Sequence, residues 1–392
     1  MLRRAGEASR ADIARSAALT NAAVGAIIHD LEAAGLIETL GKRNDGNRGQ
    51  PATLLRLDPR GAYGIGVRLD RTNIETALVD FTGQVLARRT RDMILPAPEE
   101  AIHIVAGDIR ALVDMVLPTH RERIAGVGLA QPFNLEAWLA ELDLPPARFK
   151  LWQNVDFAAQ LELAVGLPVT VENDGTAAAI AELFHGLGRD ENDFLYLFIG
   201  PAIGGGVVVG GDCVHGSRGN AGDVAVMPVA PSRLDSAPRP ARGFDILLAR
   251  ASLNALARHL AHHGVPVHGL AELEAAVARG EPAVFEWIDD CVDALTPAIL
   301  SAVAILDVPL VVVDTDLGAC LLDLLLPKLR DCLAAHAAEA RNPPRLLAGS
   351  FALEAGAIGA ATVPMFFSFA PRAAILTRMG ADREALDHAA AQ

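Results

Sequence analysis

Residues 167–184 read Leu-Pro-Val-Thr-Val-Glu-Asn-Asp-Gly-Thr-Ala-Ala-Ala-Ile-Ala-Glu-Leu-Phe, and their order decides the fold. Residues 167–171 have the β-branched content of a buried strand, Glu172-Asn173-Asp174 are polar, and residues 175–184 suit a helix. Polar residues at the carboxyl end of a strand, just before a helix, stand where α/β folds bind ligands. Asp174 can accept a proton from a hydroxyl, and Asn173 can donate to and accept from neighbouring hydroxyls. The same two residues suit equally well the plain task of capping the helix that follows.

Working outward, residues 65–69, 74–81 and 84–89 form short strands, with Thr82-Gly83 at the second turn. The pattern returns at 194–199, a glycine-rich turn over 200–206, and 207–209 leading into Gly210-Gly211-Asp212. Each hairpin precedes helical segments, so the chain predicts two similar α/β lobes facing across a cleft. The longest apolar stretch, 298–313, is broken by Asp307 and Pro309 and reads as a core helix followed by a buried strand, with no membrane span.

The first sixty residues differ in kind. Ser9 can cap a helix carrying Ile13, Ala14 and Ala17, and Leu19-Thr20-Asn21 interrupts it and opens a second. Val24, Ile27, Ile28 and Leu31 give that second helix its buried face, and Gly35 ends it. Residues 36–40, a polar loop over 41–50 and residues 51–57 form a hairpin whose loop carries Lys42, Arg43, Arg48 and Gln50. Two short helices and a basic hairpin loop make a winged helix-turn-helix. Thr20, Asn21 and His29 stand where bases are read, and Ser9, Arg10 and the loop residues where phosphates or a minor groove are met.

A formal charge of −14 argues against nucleic-acid binding until it is divided. Through Arg60 there are nine Lys and Arg against seven Asp and Glu, a net +2, which leaves −16 for the remainder. Hydrophobic residues at 51% exclude a disordered chain. Cys213, Cys291, Cys320 and Cys332 are too scattered for a disulfide framework or a Cys-x-x-Cys zinc site and read as reduced core thiols. The basic start MLRRAGEASR lacks the apolar run of a signal peptide, so the expected location is cytoplasmic. His259, His262 and His263 could gather two imidazoles on one helix face, but no carboxylate accompanies them at matching spacing, so no metal is expected.

Val171-Glu-Asn-Asp-Gly-Thr-Ala-Ala-Ala179 with Glu182, and Ile203-Gly-Gly-Gly-Val-Val208 leading to Gly216-Ser-Arg-Gly-Asn-Ala-Gly-Asp223, resemble the ROK family of repressors and sugar kinases. The resemblance runs from the helix pair through the 48–57 junction to residues 367–371. It implies a winged helix-turn-helix (1–60) before a two-lobed, actin/hexokinase-like (ribonuclease H-like) sugar-kinase domain. The first lobe is expected over 61–175, completed by a C-terminal helix at 370–392, and the second over 176–369. By the same likeness Asn173 and Asp174 contact sugar hydroxyls, with Asp174 at the kinases' catalytic-base position. Asp223 stands for a sugar-binding glutamate, and Gln131 and Asn154 complete the ligand set.

The departures are equally informative. The family's Asp-x-Gly-Gly-Thr phosphate turn is here Leu69-Asp70-Arg71-Thr72-Asn73, and its Gly-Thr-Gly turn is Gly200-Pro201-Ala202. Both changes replace a backbone cradle with side chains or a proline. Val226 replaces a histidine that ligates sugar or zinc, residues 231–243 contain no cysteine, Phe244 stands at a cysteine position and Ile246 at that of a sugar-binding glutamate. The expectation is a regulator without kinase activity, cofactor or zinc. Its partners would be operator DNA, a sugar or sugar-phosphate effector, and a second copy of itself in a dimer or tetramer. The competing readings are an active sugar kinase and a dimerising scaffold with no effector.

Overall fold

The computed structural model describes residues 2–43, 52–140, 142, 144–241, 243–337 and 342–369. The N-terminal unit comprises α1 (Leu2–Ala5), β1 (Glu7–Ser9), α2 (Arg10–Ala17), α3 (Asn21–Ala33), β2 (Ile37–Arg43) and β3 (Ala52–Leu57). Ser9 and Asp12 form a reciprocal capping box. The Ser9 hydroxyl oxygen accepts from the Asp12 amide at 3.2 Å, and the Asp12 carboxylate accepts from the Ser9 amide at 3.1 Å. Ala18 ends α2 in the left-handed region, and the Thr20 hydroxyl oxygen caps α3 by accepting from Ala23 N at 3.3 Å. Ala14, Val24, Ile28, Ile37 and Leu55 form a small core.

Ile27, placed on the buried face by its spacing, is instead 46% exposed. This small unit covers only the narrow stripe of α3 that carries Val24 and Ile28. Strand β2 continues through Gly41, Lys42 and Arg43 instead of ending at Leu40, with a bulge between Thr39 and Gly41. Strand β1, which pairs with β3 to give the order β1-β3-β2, was not evident in the sequence. Three residues show little alternation.

The first large lobe holds β4 (Tyr63–Leu69), β5 (Asn73–Asp80), β6 (Val85–Asp92), α4 (Pro98–Met115), β7 (Ile124–Gln131), α5 (Pro146–Phe149), α6 (Phe157–Val165) and β8 (Val169–Asn173). Helix α7 (Asp174–Phe184) leads into the second lobe, whose sheet begins with β9 (Phe194–Ile199), β10 (Ile203–Val209) and β11 (Asp212–Cys213). A small ribbon, β12 (Pro228–Val229) and β13 (Asp245–Ile246), precedes α8 (Leu247–Ala251), α9 (Leu253–His262), α10 (Leu270–Ala278) and α11 (Pro282–Leu306). Then come β14 (Leu310–Thr315), α12 (Ala319–His336), β15 (Arg345–Ala348) and α13 (Ala355–Phe369).

The two five-stranded sheets repeat one plan. Their orders are β6-β5-β4-β7-β8 and β11-β10-β9-β14-β15, and in each an antiparallel hairpin-led trio is extended by two parallel strands. The repetition read from the hairpins is thus a repetition of topology. Leu310–Thr315 is buried throughout, as a central parallel strand covered on both faces requires.

Helices α13 and α7 fill the space between the sheets. Helix α13 lies on β4 and β7, α7 lies on β10, and the two helices pack on each other. Small residues make this possible: a Cβ on Gly66 would come within 2.4 Å of Ala361 N, and one on Gly128 within 1.9 Å of the Ala360 carbonyl oxygen. Residues 355–369, counted with the second lobe from sequence, therefore pack on the first sheet. The completing helix expected over 370–392 lies outside the described residues.

The glycines at 204–206, expected in a turn, belong to β10, and only Gly200–Ala202 turn. Gly206 is glycine because a Cβ there would stand 2.6 Å from the Ala179 Cβ of α7. Cys213 and Cys291 are buried and Cys320 and Cys332 half-buried, and none of the four forms a disulfide among the described residues. Among the described residues no helix is long and apolar enough to cross a membrane.

Candidate functional site

Parallel pairing of β7 with β8 sets Gln131 beside Asn173 at the carboxyl ends of their strands. Both line a cavity of about 430 Å³, with Phe133, Glu172, His215 and Arg218 among the other walls. The Asn173 carbonyl oxygen is committed to capping α7, accepting from Gly175 N at 3.0 Å and Thr176 N at 3.2 Å. Capping and ligand contact are compatible here, because the cap uses Oδ1 and leaves the amide Nδ2 protons.

His215 Nδ1 lies 3.0 Å from Glu172 Oε2, and the ring stacks on Phe367 with centroids 6.2 Å apart. Glu172 Oε1 accepts from the Asn173 amide at 2.9 Å. Aromatic surface beside convergent donors and acceptors suits a small polyhydroxylated ligand. Sequence reasoning assigned no role to Phe133, Glu172, His215, Arg218 or Phe367. Glu172 and Arg218 lay inside quoted motifs, but Phe367 reaches the cavity only because α13 crosses back over the first sheet. Asp223 is exposed and accepts from Asn220 Nδ2 at 2.9 Å, and Asn154 is exposed with φ 58°. Neither lies on the cavity wall.

Asp174, one residue past Asn173, belongs to a charged knot around the β4–β5 turn. Arg68 pairs with Asp70 at 3.3 Å. Buried Arg71 donates to the Asn134 carbonyl at 2.8 Å and the Leu135 carbonyl at 3.1 Å, and its amide donates to Asp70 Oδ1 at 2.7 Å. Arg71 thereby fixes the loop that carries Phe133. Burial, then the charge of Asp70, raises the Asp174 pKa against the pull of Arg68 and Arg71. Burial likewise pushes Asp316 up to about 6, against the attraction of Arg68.

At the matching turn of the second lobe, the Gly200 carbonyl accepts from Leu253 N at 2.8 Å, and a Cβ on Gly200 would lie 3.1 Å from an Asp316 carboxylate oxygen. Val226 and Phe244 are exposed. The cysteine-free segment near them is tied by buried Arg250, which donates to the Ala230 carbonyl at 2.8 Å and to both Asp290 carboxylate oxygens at 2.7 and 3.0 Å.

In the N-terminal unit Arg10, Thr20, Asn21 and His29 are exposed, whereas Ser9 is buried and consumed by its capping box. Ser9 is therefore withdrawn from the proposed DNA contacts. Lys42 and Arg43 lie on β2, and Arg48 and Gln50 lie outside the described residues. The unit touches the large domain through Arg3, whose guanidinium donates to the Leu183 carbonyl at 2.8 Å and lies 4.2 Å from the Phe184 ring centroid. Next to these, His185 is buried, and desolvation with the charges of Arg3 and Arg189 lowers its pKa to about 3. No carboxylate stands at matching spacing on the helix of the histidines near residue 260, but α11, distant in sequence, brings Glu286 to His259 and His263.

The sequence profile described as the ROK family matches residues 64–364. The chain is 29% identical over 370 residues to the uncharacterized protein y4fQ of Sinorhizobium fredii, covering 92% of this chain and 88% of that one. It is 28% identical over 221 residues to a putative xylose repressor of Caldicellulosiruptor sp., covering 56% of this chain and only 55% of the repressor. Among solved structures, a ROK family transcriptional regulator described as a homolog of the E. coli MLC protein superposes with a TM-score of 0.67 at 22% identity, over 91% of each chain. Proteins named as glucokinases occur among the matches beside those named as repressors.

Proposed function

Because the chain belongs to the ROK family, we propose that it is a cytoplasmic DNA-binding regulator of carbohydrate genes, acting as a repressor, whose family domain senses a sugar or sugar derivative without phosphorylating it. The observation that carries this reading is the closed β4–β5 turn. Phosphoryl transfer depends on donors and positive charge positioned around the phosphates. Here the Arg71 guanidinium is spent on two carbonyls, its amide on Asp70, and the carboxylates of Asp70, Asp174 and Asp316 share the space. A polyphosphate brought to that turn meets like charge.

The N-terminal unit supports the same reading as a winged helix-turn-helix. Asn21 opens the exposed face of α3 and can pair bidentately with an adenine, while exposed Ile27 and Ala26 offer apolar contact to thymine methyl groups. Thr20, His29, Arg10 and the hairpin residues Lys42, Arg43, Arg48 and Gln50 supply further base or phosphate contacts. Two such units in a dimer would read a pseudo-palindrome. The effector would sit in the cavity of Gln131, Asn173 and His215.

The test pairs two assays on the full chain: selection from random duplex DNA, and ATP turnover with a panel of hexoses and amino sugars. Enrichment of a pseudo-palindromic site, lost with Asn21→Ala, together with no sugar-dependent ATP turnover, is the expected result. Turnover that Asp174→Asn abolishes, with no DNA selected, would establish the alternative of an active kinase, which the retention of Asp174 beside the cavity favours. DNA binding with no sugar response would leave the family domain as a dimerising scaffold.

A further inference from the structure

The second lobe brings together three donors that the proposed regulator does not use. His259 and His263 stand one turn apart on α9 and the residue that follows its end. Glu286 comes from the first turns of α11, where buried Trp287 and Ile288 hold the helix against the lobe core. One carboxylate oxygen, Glu286 Oε2, lies 3.1 Å from His259 Nε2 and 3.4 Å from His263 Nε2. All three donor atoms fall within 4.8 Å of one another.

The two separations from Glu286 Oε2 are close to those of a coordination shell. Zinc bonds to imidazole nitrogen and carboxylate oxygen are about 2.0–2.1 Å, so the edge of a tetrahedron around the ion is roughly 3.3–3.4 Å. The outer shell is present as well: Ser236 Oγ lies 2.7 Å from His259 Nδ1 and fixes the buried ring with Nε2 turned toward Glu286. Ligating histidines are oriented in this way, through the nitrogen that does not meet the metal.

We propose that His259, His263 and Glu286 form a binding site for a transition-metal dication of the zinc class, with Ser236 as the positioning residue. Two imidazoles and one carboxylate suit such an ion better than magnesium or calcium. Three protein ligands leave a fourth position, and with His263 and Glu286 exposed that position opens to water. The ion would staple α9 to α11 and, through Ser236, hold the segment before β13. The site is independent of the cavity and of the proposed DNA contacts.

The test uses full-length, tag-free protein dialysed against chelator. Zinc chloride titrated against a competing chromophoric chelator should bind at one equivalent per chain, with micromolar or tighter affinity, and cobalt(II) should give the visible spectrum of a tetrahedral site. Because His259 is buried, the decisive variants are the exposed ligands. His263→Ala and Glu286→Gln should each weaken zinc at least tenfold with little change in the metal-free melting temperature. Ser236→Ala should weaken it less, and His262→Ala should leave it unchanged. No binding below about 100 µM zinc, or binding that survives both His263→Ala and Glu286→Gln, overturns the proposal.

Discussion

At its N-terminal end α7 meets the cavity. Asn173 caps it, half-buried Asp174 faces Asp70, Arg68 and Arg71, and the side-chain Nδ2 of Asn173, not used by the cap, lines the cavity with the rest of that residue. At its C-terminal end, about 16 Å away for eleven residues, the helix is closed over: Leu183 and Phe184 receive Arg3, and His185 is buried uncharged. Residues 175–184 are buried throughout. One end of a single rigid helix is thus built for exchange with a small molecule and the other for contact with the N-terminal unit. A ligand that shifts the first end has a direct path to the second, provided it binds the two arrangements with different affinity.

The harshest way to break the comparison is to remove the helix's seat. Gly175→Val would drive a side chain into the Gly205 carbonyl, 2.3 Å from its Cβ. Both ends should fail together, with a loss of about 3 kcal/mol or more, read as loss of soluble protein and of cooperative melting.

Acidity should then separate the ends. His185 has its pKa lowered in the folded state, so its contribution is present above pH 6.5 and lost as pH falls toward 3, by roughly 5 kcal/mol at the limit. His185→Gln should flatten the fall of melting temperature over that window; an unchanged slope would mean that His185 is not buried uncharged. Asp316, near the cavity end, has its pKa raised to about 6. Its contribution is present below pH 3.8 and lost as pH rises through 6, so Asp316→Asn should melt higher than the parent at pH 7.5, by up to about 3 kcal/mol of stability, and match it near pH 4.

Smaller effects sharpen the division. Asn173→Ala should cost about 1 kcal/mol by removing the cap, whereas Asn173→Asp should keep the cap while exchanging the amide donor for a negative charge between Glu172 and Asp174. Sugar-induced melting shifts measured on both variants would tell capping from ligand contact. Arg3→Ala should change stability least, within about 1 kcal/mol for a half-exposed contact, but should lower any response of DNA binding to a sugar. A full response in that variant would move the coupling path away from α7.

Much of this was legible beforehand. Five of the six strands in the two hairpin-led trios, α7 and the break before Val308 follow from alternation, apolar runs and turn chemistry, which are local; the two-residue β11 is too short to show a pattern. The glycines at 204–206 misled because glycine marks turns and close helix–strand contacts alike, and only the position of Ala179 separates the two. Ile27 was placed inward because the periodicity of α3 fixes an apolar face without fixing how much of it a small unit covers. The cavity was legible only on the side carried by β7 and β8.

The sequence by itself determined the doubled α/β plan and the polar end of β8 before α7, since each is written in neighbouring residues, and the resemblance to the family added the departure of two turns from its glycine-rich pattern. The tertiary structure alone decided that α13 returns to the first sheet, that His215 and Phe367 finish the cavity, that Arg3 docks on α7, and that Glu286 reaches His259. A hydrophobic pattern records which face is buried. What buries it depends on contacts between segments far apart in the chain, and those are set by packing.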